Sequence, residues 1–553
     1  MKKESTDMIT LESIQNFKGK YPKQLWYLFL IEMWERFTFY GMRALLGLYI
    51  SHLILSADFH KAEQAELDKT VARYAAVEKE VLDESHPKYY IEASERKYRD
   101  EAEAISNRRY GTIQAFIYAM AFIGGLFADK LFGFRRSIFW GGTLMAIGTF
   151  LMAIPGSFAF YAGVSILIVG NGFFKPNIST MVGSLYHQGD PRRDAGFSLF
   201  YSGINIGALL SGLTIAYIGT SVSWSLGFAL AGVCMLIGLG IFIFTQKTLG
   251  PIGLPPENAN LDEKKGFLTK GWTYQLLTLL FIPVFFLLVY YPFDLHIGSF
   301  TMSFTDLIFL VAAVFTIGYI VVQITTLEKA DARKLTVASI LILFSALFWS
   351  FFEQGGGSLN FFANGNVNGG GWNMTQVNNS VNALWVVLIA PVIGLFWLWL
   401  NKRKKEPNTI LKFGYGFIFL GLGFLVFYGS RFFSDENGLT PLWIFMAAYL
   451  VVTIGELCLS PIGLSMITKL SPQKLHGVMM GTWFLASAYG QYGAGLIGAA
   501  LAKGDETIEN PTNLQKLLTY TNGYESIGYI AIIAGLVLII ISPRLKKMMG
   551  EVR

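Results

Sequence analysis

Apolar runs of about twenty residues recur along the chain, each long enough to cross a hydrocarbon core of about 30 Å as a helix. Fourteen are predicted, near residues 24–52, 110–130, 136–155, 158–180, 197–219, 223–245, 272–292, 304–326, 335–355, 380–400, 410–430, 441–468, 477–501 and 525–543. An even number puts both ends of the chain on one side. Alternate connections are basic: Lys130, Arg135 and Arg136; Arg192 and Arg193; Lys264, Lys265 and Lys270; Lys329, Arg333 and Lys334; Lys402 to Lys405. The intervening short ones are poor in Lys and Arg, and 356–379 has neither. Because cytoplasmic loops carry the excess of basic residues, both termini are expected in the cytoplasm.

Two connections break the rhythm. Residues 56–108 are dense in Ala, Glu, Lys and Arg and read as two helical pieces broken near His86-Pro87. They form an expected extracytoplasmic hairpin, either a solvated charged spacer or a docking surface for a partner. Residues 246–271 are rich in Pro, Gly and charge and read as a linker between six spans and eight. The predicted organisation is a cytoplasmic N-terminus over 1–23, a six-helix bundle over 24–245, a cytoplasmic linker over 246–271, two extra spans over 272–326, a second six-helix bundle over 335–543 and a tail over 544–553. Six plus six spans with two inserted at the midpoint is an arrangement a transporter would explain.

The first span departs from plain lipid-facing character. Within Ile31–Gly47, Glu32, Glu35, Arg36, Phe39, Tyr40 and Arg43 fall within an arc of roughly 140° on a helix. The other face is Met33, Trp34, Phe37, Gly41, Ala44 and Leu45. A charge at the bilayer centre costs at least about 2.5 kcal/mol. This face must therefore line a bundle interior or a wet cavity; a surface helix with i,i+4 ion pairs would not have such bulky apolar flanks.

Composition agrees with a multi-spanning membrane protein. Of 553 residues, 53% are hydrophobic and 15% charged, and mean hydropathy is +0.45. The net charge of +6 reflects loops and sets topology, not nucleic-acid binding. Cys234 and Cys458 both lie in apolar runs, giving no disulfide, zinc or thiol chemistry to expect. The polar N-terminal stretch does not read as a cleaved signal peptide. Six scattered histidines and the lack of a nucleophile elbow argue against an enzyme, and no P-loop supplies energy from ATP.

Further polar groups sit at membrane depth: Lys175 before Pro176, which is expected to open the fourth span; Tyr201 and Asn205; Trp349 and Glu353; Glu456 beside Ser460 and Pro461; Trp483 and Ser487. Single Trp or Ser residues in such helices usually only pack. Glu353 and Glu456 carry more weight, because intramembrane carboxylates are functional by default. The loop Gly125-x-x-x-Asp129-Lys130-x-x-Gly133-Phe134-Arg135-Arg136 resembles the conserved-spacing loop of the major facilitator superfamily. On that resemblance Gly125, Asp129, Arg135 and Arg136 form a conformational latch.

Four motifs together carry a closer resemblance: Glu32-x-x-Glu35-Arg36-Phe37-x-x-Tyr40-Gly41, Lys175-Pro176-Asn177, Phe200-Tyr201-x-x-Ile204-Asn205 and Phe348-Trp349-x-x-Phe352-Glu353-Gln354. In this order they resemble the proton-dependent oligopeptide transporter family of the major facilitator superfamily. The resemblance implies an all-α membrane protein: two six-helix bundles plus two extra spans, fourteen in all. It implies a symporter importing di- and tripeptides with protons by alternating access, monomeric, in a bacterial inner membrane, with protons as coupling ion and no cofactor. Proton coupling would fall to Glu32, Glu35, Arg36, Lys175 and Glu353. Arg43 and Lys175 would receive the peptide carboxylate, and Glu456 and Asn382 the amino end, with Asn205 nearby. Tyr40, Tyr118, Trp349, Glu353, Trp483 and Ser487 would complete the pocket. Phe39 stands where many members have a second Tyr. A zwitterionic peptide demands a cationic end, an anionic end and forgiving walls, and this inventory has all three. The rivals are a drug or nitrate carrier on the same fold and a peptide-binding receptor that moves nothing.

Overall fold

The computed structural model describes residues 9–55, 85–187, 190–265, 268–291, 294–297, 300–459, 463–472, 475–503 and 512–550. The first arm of the expected hairpin, 56–84, and the Ser460-Pro461 pair lie outside the described residues. Helices dominate. A short α1 (Leu11–Gln15), capped by Thr10, precedes α2 (Lys23–Ile54), α3 (Ser85–Phe127), α4 (Gly133–Met152), α5 (Ser157–Ser184), α6 (Arg193–Ser211), α7 (Tyr217–Ser221) and α8 (Trp224–Thr245). These helices form the N-terminal half. α9 (Lys270–Thr278), α10 (Phe281–Tyr290) and α11 (Phe304–Thr326) follow. The C-terminal half is α12 (Lys329–Phe352), α13 (Ser358–Asn366), α14 (Met374–Lys402), α15 (Thr409–Gly429), α16 (Leu442–Leu459), α17 (Gly463–Leu470), α18 (His476–Lys503) and α19 (Asn513–Met549). Three two-stranded pairings, the longest joining Asp294–Ile297 to Phe300–Ser303, are confined to connections.

Eleven helical segments among the described residues are long and apolar enough to cross a membrane. One, 99–152, takes in α3, a π-turn and α4, and the chain turns within it at Gly133, whose φ is +70°. α2 and α18 have spanning length, 32 and 28 residues, but are not among the eleven. The count of fourteen spans is thus not established by apolarity alone. The positive φ at Gly133 and its closeness to the Leu254 and Pro255 backbone leave no room for a side chain there.

Close helix approach builds the N-terminal half. Gly141 of α4 meets Gly170 of α5, and Gly124 of α3 meets Gly172, so α5 is gripped from two sides through bare backbone. α2 packs on α6 and α8. The C-terminal half is held by a larger apolar cluster including Phe348, Phe413, Phe417, Tyr449 and Tyr524. The halves meet where α3 runs along α18, with Gly111 against Gly495, and where α14 touches α6. α7, α10 and α13 continue the spanning segments opened by α6, α9 and α12. The α3–α18 glycine contact and the α14–α6 contact lie toward the end opposite the chain termini, the far end below.

The inserted pair touches both halves. α10 packs on α5, and α11 lies against α12. Asp306, in the capping box that opens α11, takes Arg108 of α3 at 2.5 Å and the hydroxyl of Tyr492 of α18. Phe309 stacks on Tyr492 at 4.3 Å. The rest of α11 buries little surface against the protein, as befits a helix facing acyl chains.

Two expectations change. Pro176 does not open the fourth span: α5 runs through it from Ser157 to Ser184. Pro176 removes the amide that would reach the Gly172 carbonyl, and, one residue on, the Asn177 side chain adds a bond to the Phe173 carbonyl at 2.7 Å. Nor is 356–379 a plain loop, since α13 fills its first part and α14 begins six residues earlier than the apolar run suggests. Asparagines explain this: Asn373 caps α14 through the Gln376 amide at 2.9 Å, and Asn366 donates to the Gly438 and Asn513 carbonyls.

Gly172→Leu should lower the melting temperature in detergent by several degrees, because its side chain would overlap Met120 of α3. Gly240→Ala, with nothing within 4 Å of the added carbon, should leave it unchanged. Equal melting of the two variants would contradict the packing described.

Candidate functional site

A cavity of about 330 Å³ lies between the halves, within the size range of small-ligand sites. It is bounded by α2, α3, α5 and α6 on one side and by α12, α14 and α16 on the other. Glu32, Arg36, Tyr40, Arg43, Tyr118, Lys175, Asn205, Trp349, Glu353, Asn382 and Glu456, all singled out from the sequence, line it.

Its charges are arranged in three groups. In the first, Arg36 is 2% exposed and sits between two carboxylates of its own helix: its Nε lies 3.1 Å from Glu32 Oε1 and also pairs with Glu35. Glu32 faces the cavity. Glu35 does not; it is wholly buried behind Arg36, where Asn171 Nδ2 donates to it at 3.1 Å. The Phe39 ring separates this group from the next, with Arg36 5.1 Å and Lys175 5.9 Å from its centroid.

The second group is cationic. Arg43 reaches across to Glu353, joining the two halves, and its Nε donates to the Tyr110 hydroxyl at 2.6 Å. Lys175 has no ion pair among the described residues; its ammonium lies over the Tyr118 ring at 3.8 Å. Glu353 is presented by a 3-10 turn, Glu353–Gly356, that ends α12. The turn is fixed by Gln354 donating to the Ala494 carbonyl, by Asn378 donating to the Gly355 carbonyl and by Asn360 donating to the Ala44 carbonyl of α2.

The third group is anionic. Glu456 is 7% exposed and accepts from Asn382 Nδ2 at 3.0 Å and from the Tyr201 side chain. Arg43 and Glu353 thus stand at one side of the cavity, and Glu456 with its two neutral donors at another. Aromatic and apolar groups, among them Trp349, Phe352 and Phe424, fill the walls between.

Not every sequence candidate comes to this cavity. Trp483 and Ser487 do not line it: Trp483 packs against the C-terminal apolar cluster, and the Ser487 hydroxyl turns back to the Trp483 carbonyl. Asn205 lines it, but its amide is spent on the Tyr201 carbonyl at 3.0 Å. The loop residues do not form one latch. Asp129 is exposed and without an ion pair among the described residues. Arg135 instead donates to the Ile252 carbonyl at 2.7 Å and to that of Gly250, strapping the linker to α4; Arg136 lies 4.0 Å from Asp262. A backbone basket satisfies a guanidinium without a counter-ion, and no residue spacing announces it. Gly125 and Asp129 line a second cavity, of about 670 Å³, toward the terminal end. Lys175 and Ser179 line both cavities and mark the passage between them.

Tyr110 and Asn171 act on the charged groups but carry no signal in the sequence; Tyr201, noted there as a polar group at membrane depth, was given no role. Tyr110 and Asn171 lie in apolar helical runs whose facing could not be judged without their neighbours.

A sequence model of the POT family matches residues 135–514. The chain belongs to the POT family. It is an integral membrane transporter of major facilitator type, not an enzyme, and the resemblance carried by the four motifs is borne out. The chain is 33% identical over 508 residues to peptide transporter YePEPT of Yersinia enterocolitica, covering 89% of this chain and 90% of that one. It is 32% identical over 540 residues to the uncharacterized transporter YclF of Bacillus subtilis, covering 96% of each. A crystal structure of peptide transporter POT in complex with sulfate superposes with a TM-score of 0.73 at 30% identity, covering 98% of this chain and 99% of that one.

Arg43→Ala should destabilise the protein by about 3–5 kcal/mol, because Glu353 is left buried without its cation. The double variant Arg43→Ala/Glu353→Ala should recover a large part of that loss in denaturation experiments. Additive losses would mean that the two side chains do not pair.

Proposed function

We propose that the protein is a proton-coupled symporter that imports di- and tripeptides by alternating access, in a bacterial inner membrane with both termini cytoplasmic. The observation that carries this reading is one cavity with a cationic pole at Arg43 and Lys175 and an anionic pole at Glu456. A short peptide is a zwitterion with variable side chains. Its carboxylate matches the first pole, its ammonium the second, and the aromatic walls tolerate what lies between. The peptide-transporting names of the relatives support the same assignment.

Coupling to protons needs carboxylates that change charge as their partners change. Arg43 is held by Glu353; a peptide carboxylate competes for the same guanidinium. Once displaced, Glu353 is a buried anion without a cation and takes up a proton, which links occupancy to protonation. While the Arg43–Glu353 pair is broken the far end can stand open to admit peptide, and re-forming the pair closes that end behind it. Glu32 and Glu35, sharing Arg36, form the second proton-accepting group, next to Lys175 at the passage toward the terminal end. The proposed cycle runs from peptide entry at the far end to release through the second cavity, and the proton follows the peptide inward.

Proteoliposomes with an inward acid gradient should accumulate a dialanine peptide, and dissipating the gradient should end the accumulation. Glu35→Gln and Lys175→Ala should abolish accumulation while leaving gradient-free peptide exchange measurable. Undiminished accumulation by either would count against the coupling roles. Glu456→Ala should weaken peptides with a free amino end by about tenfold more than N-blocked ones, the loss of one charge-assisted contact. Equal losses would remove Glu456 from amino-end recognition, and uptake of nitrate in place of peptide would favour the rival carrier.

A further inference from the structure

Asn171 sits where the packing of α5 leaves it a single direction. Gly170 faces the Gly141 backbone of α4, and Gly172 faces Met120 and Gly124 of α3. The residue between the two contacts is turned to the remaining neighbour, α2. There its Nδ2 donates to Glu35 Oε1 at 3.1 Å, while Arg36 holds the other carboxylate oxygen. The Asn171 side chain is wholly buried, and its Oδ1 has no hydrogen-bond partner. A buried amide oxygen left unpaired costs about 1–3 kcal/mol.

That orphan oxygen fits a second state of its neighbour. A carboxylate accepts only; a carboxylic acid has one O–H to donate. A primary amide can serve both, giving N–H to the anion and, turned half way round about its last torsion, offering C=O to the acid. We infer that Asn171 is the positioning residue of the buried carboxylate Glu35, turning its amide when Glu35 takes up a proton so that either form stays hydrogen-bonded. The inference rests on the coupling role proposed above for Glu35.

The surroundings leave this task to the amide. Glu32 and Arg36 on α2 and Lys175 on α5 are the charged groups that act on Glu35. α6 and α8 bring glycines to this region, Gly207 beside Arg36 and Gly238 near the Glu35 backbone. α4 brings Met145, whose sulfur is 4.0 Å from Asn171 Nδ2 and cannot replace an amide oxygen as an acceptor. Arg36 donates and never accepts, so it cannot receive a proton from Glu35. Among the described residues the unpartnered buried acceptors of this cluster are Glu32 Oε2 and Asn171 Oδ1, and of the two side chains it is Asn171 that already hydrogen-bonds Glu35.

The test uses the full chain reconstituted in lipid, with Asn171→Leu, of similar size but without the amide, and Asn171→Asp, which keeps the shape. Acid titration of the wild type followed by difference infrared spectroscopy should show a hydrogen-bonded carboxylic C=O band that Glu35→Gln removes. In Asn171→Leu this band should move to the higher frequency of an acid without an acceptor. In Asn171→Asp the two carboxyl groups should keep one proton between them, and the acid-induced band should vanish from the same pH range. Gradient-driven uptake should fall by about tenfold in both variants, the worth of one hydrogen bond, while gradient-free exchange stays within about twofold. A wild-type band and pH profile in whichever variant folds would overturn the inference. If Glu35→Gln itself accumulates peptide normally, it is the coupling role of Glu35 that fails; if only the Asn171 variants behave as wild type, the fault lies with the amide alone.

Discussion

Arg36 lies between Glu32 and Glu35 with its side chain 3% exposed, inside a long membrane-spanning helix. Nothing else in the N-terminal half constrains the structure as strongly. Two carboxylates and one guanidinium carry a net negative charge into a region where an unpaired ion is penalised by several kcal/mol. The group therefore needs the Asn171 amide at 3.1 Å and the Lys175 ammonium on the next helix. α5 must come close to α2 to supply them, and bare glycine backbones against α3 and α4 allow it. The charge cluster and the tight packing of α3, α4 and α5 are two parts of one arrangement.

The second constraint crosses between the halves. Arg43 and Glu353 satisfy each other only while α2 stands against the 3-10 turn that ends α12. Around them, neutral groups hold the geometry: Tyr110 takes the Arg43 Nε, and Gln354, Asn360 and Asn378 hold the turn to both halves. Hydrogen bonds to backbone carbonyls can part and be replaced by water at modest cost, whereas a buried charge needs a replacement partner. On the proposed reading, a peptide carboxylate is the partner that would take the place of Glu353 at Arg43. The inserted α10 and α11 add a lateral tie, since Asp306 engages both α3 and α18.

Electrostatics and packing divide the labour at the cavity. In the proposed reading the charged poles set which end of a peptide goes where, while rings such as Trp349 and Phe352 supply apolar area to the walls. Phe39 belongs to neither wall nor pole. Its face lies near two cations and spaces the Arg36 cluster from Lys175 without supplying a proton of its own.

Much of this was legible in the sequence, for a physical reason. Water-free surroundings tolerate few charges, so apolar run length exposed the helices, and each exception inside a run, Glu32, Arg43, Lys175, Glu353 and Glu456, marked the cavity. That list needed no knowledge of distance; it followed from cost. The sequence could not say that Pro176 leaves α5 intact, because that depends on the helices packed around it. Nor could it say that Arg135 holds linker carbonyls in place of Asp129, that Trp483 and Ser487 turn away from the cavity, or that Tyr110, Tyr201 and Asn171 attend the charges. Those are matters of which way a neutral side chain faces among several apolar neighbours, and only the assembled helices decide them.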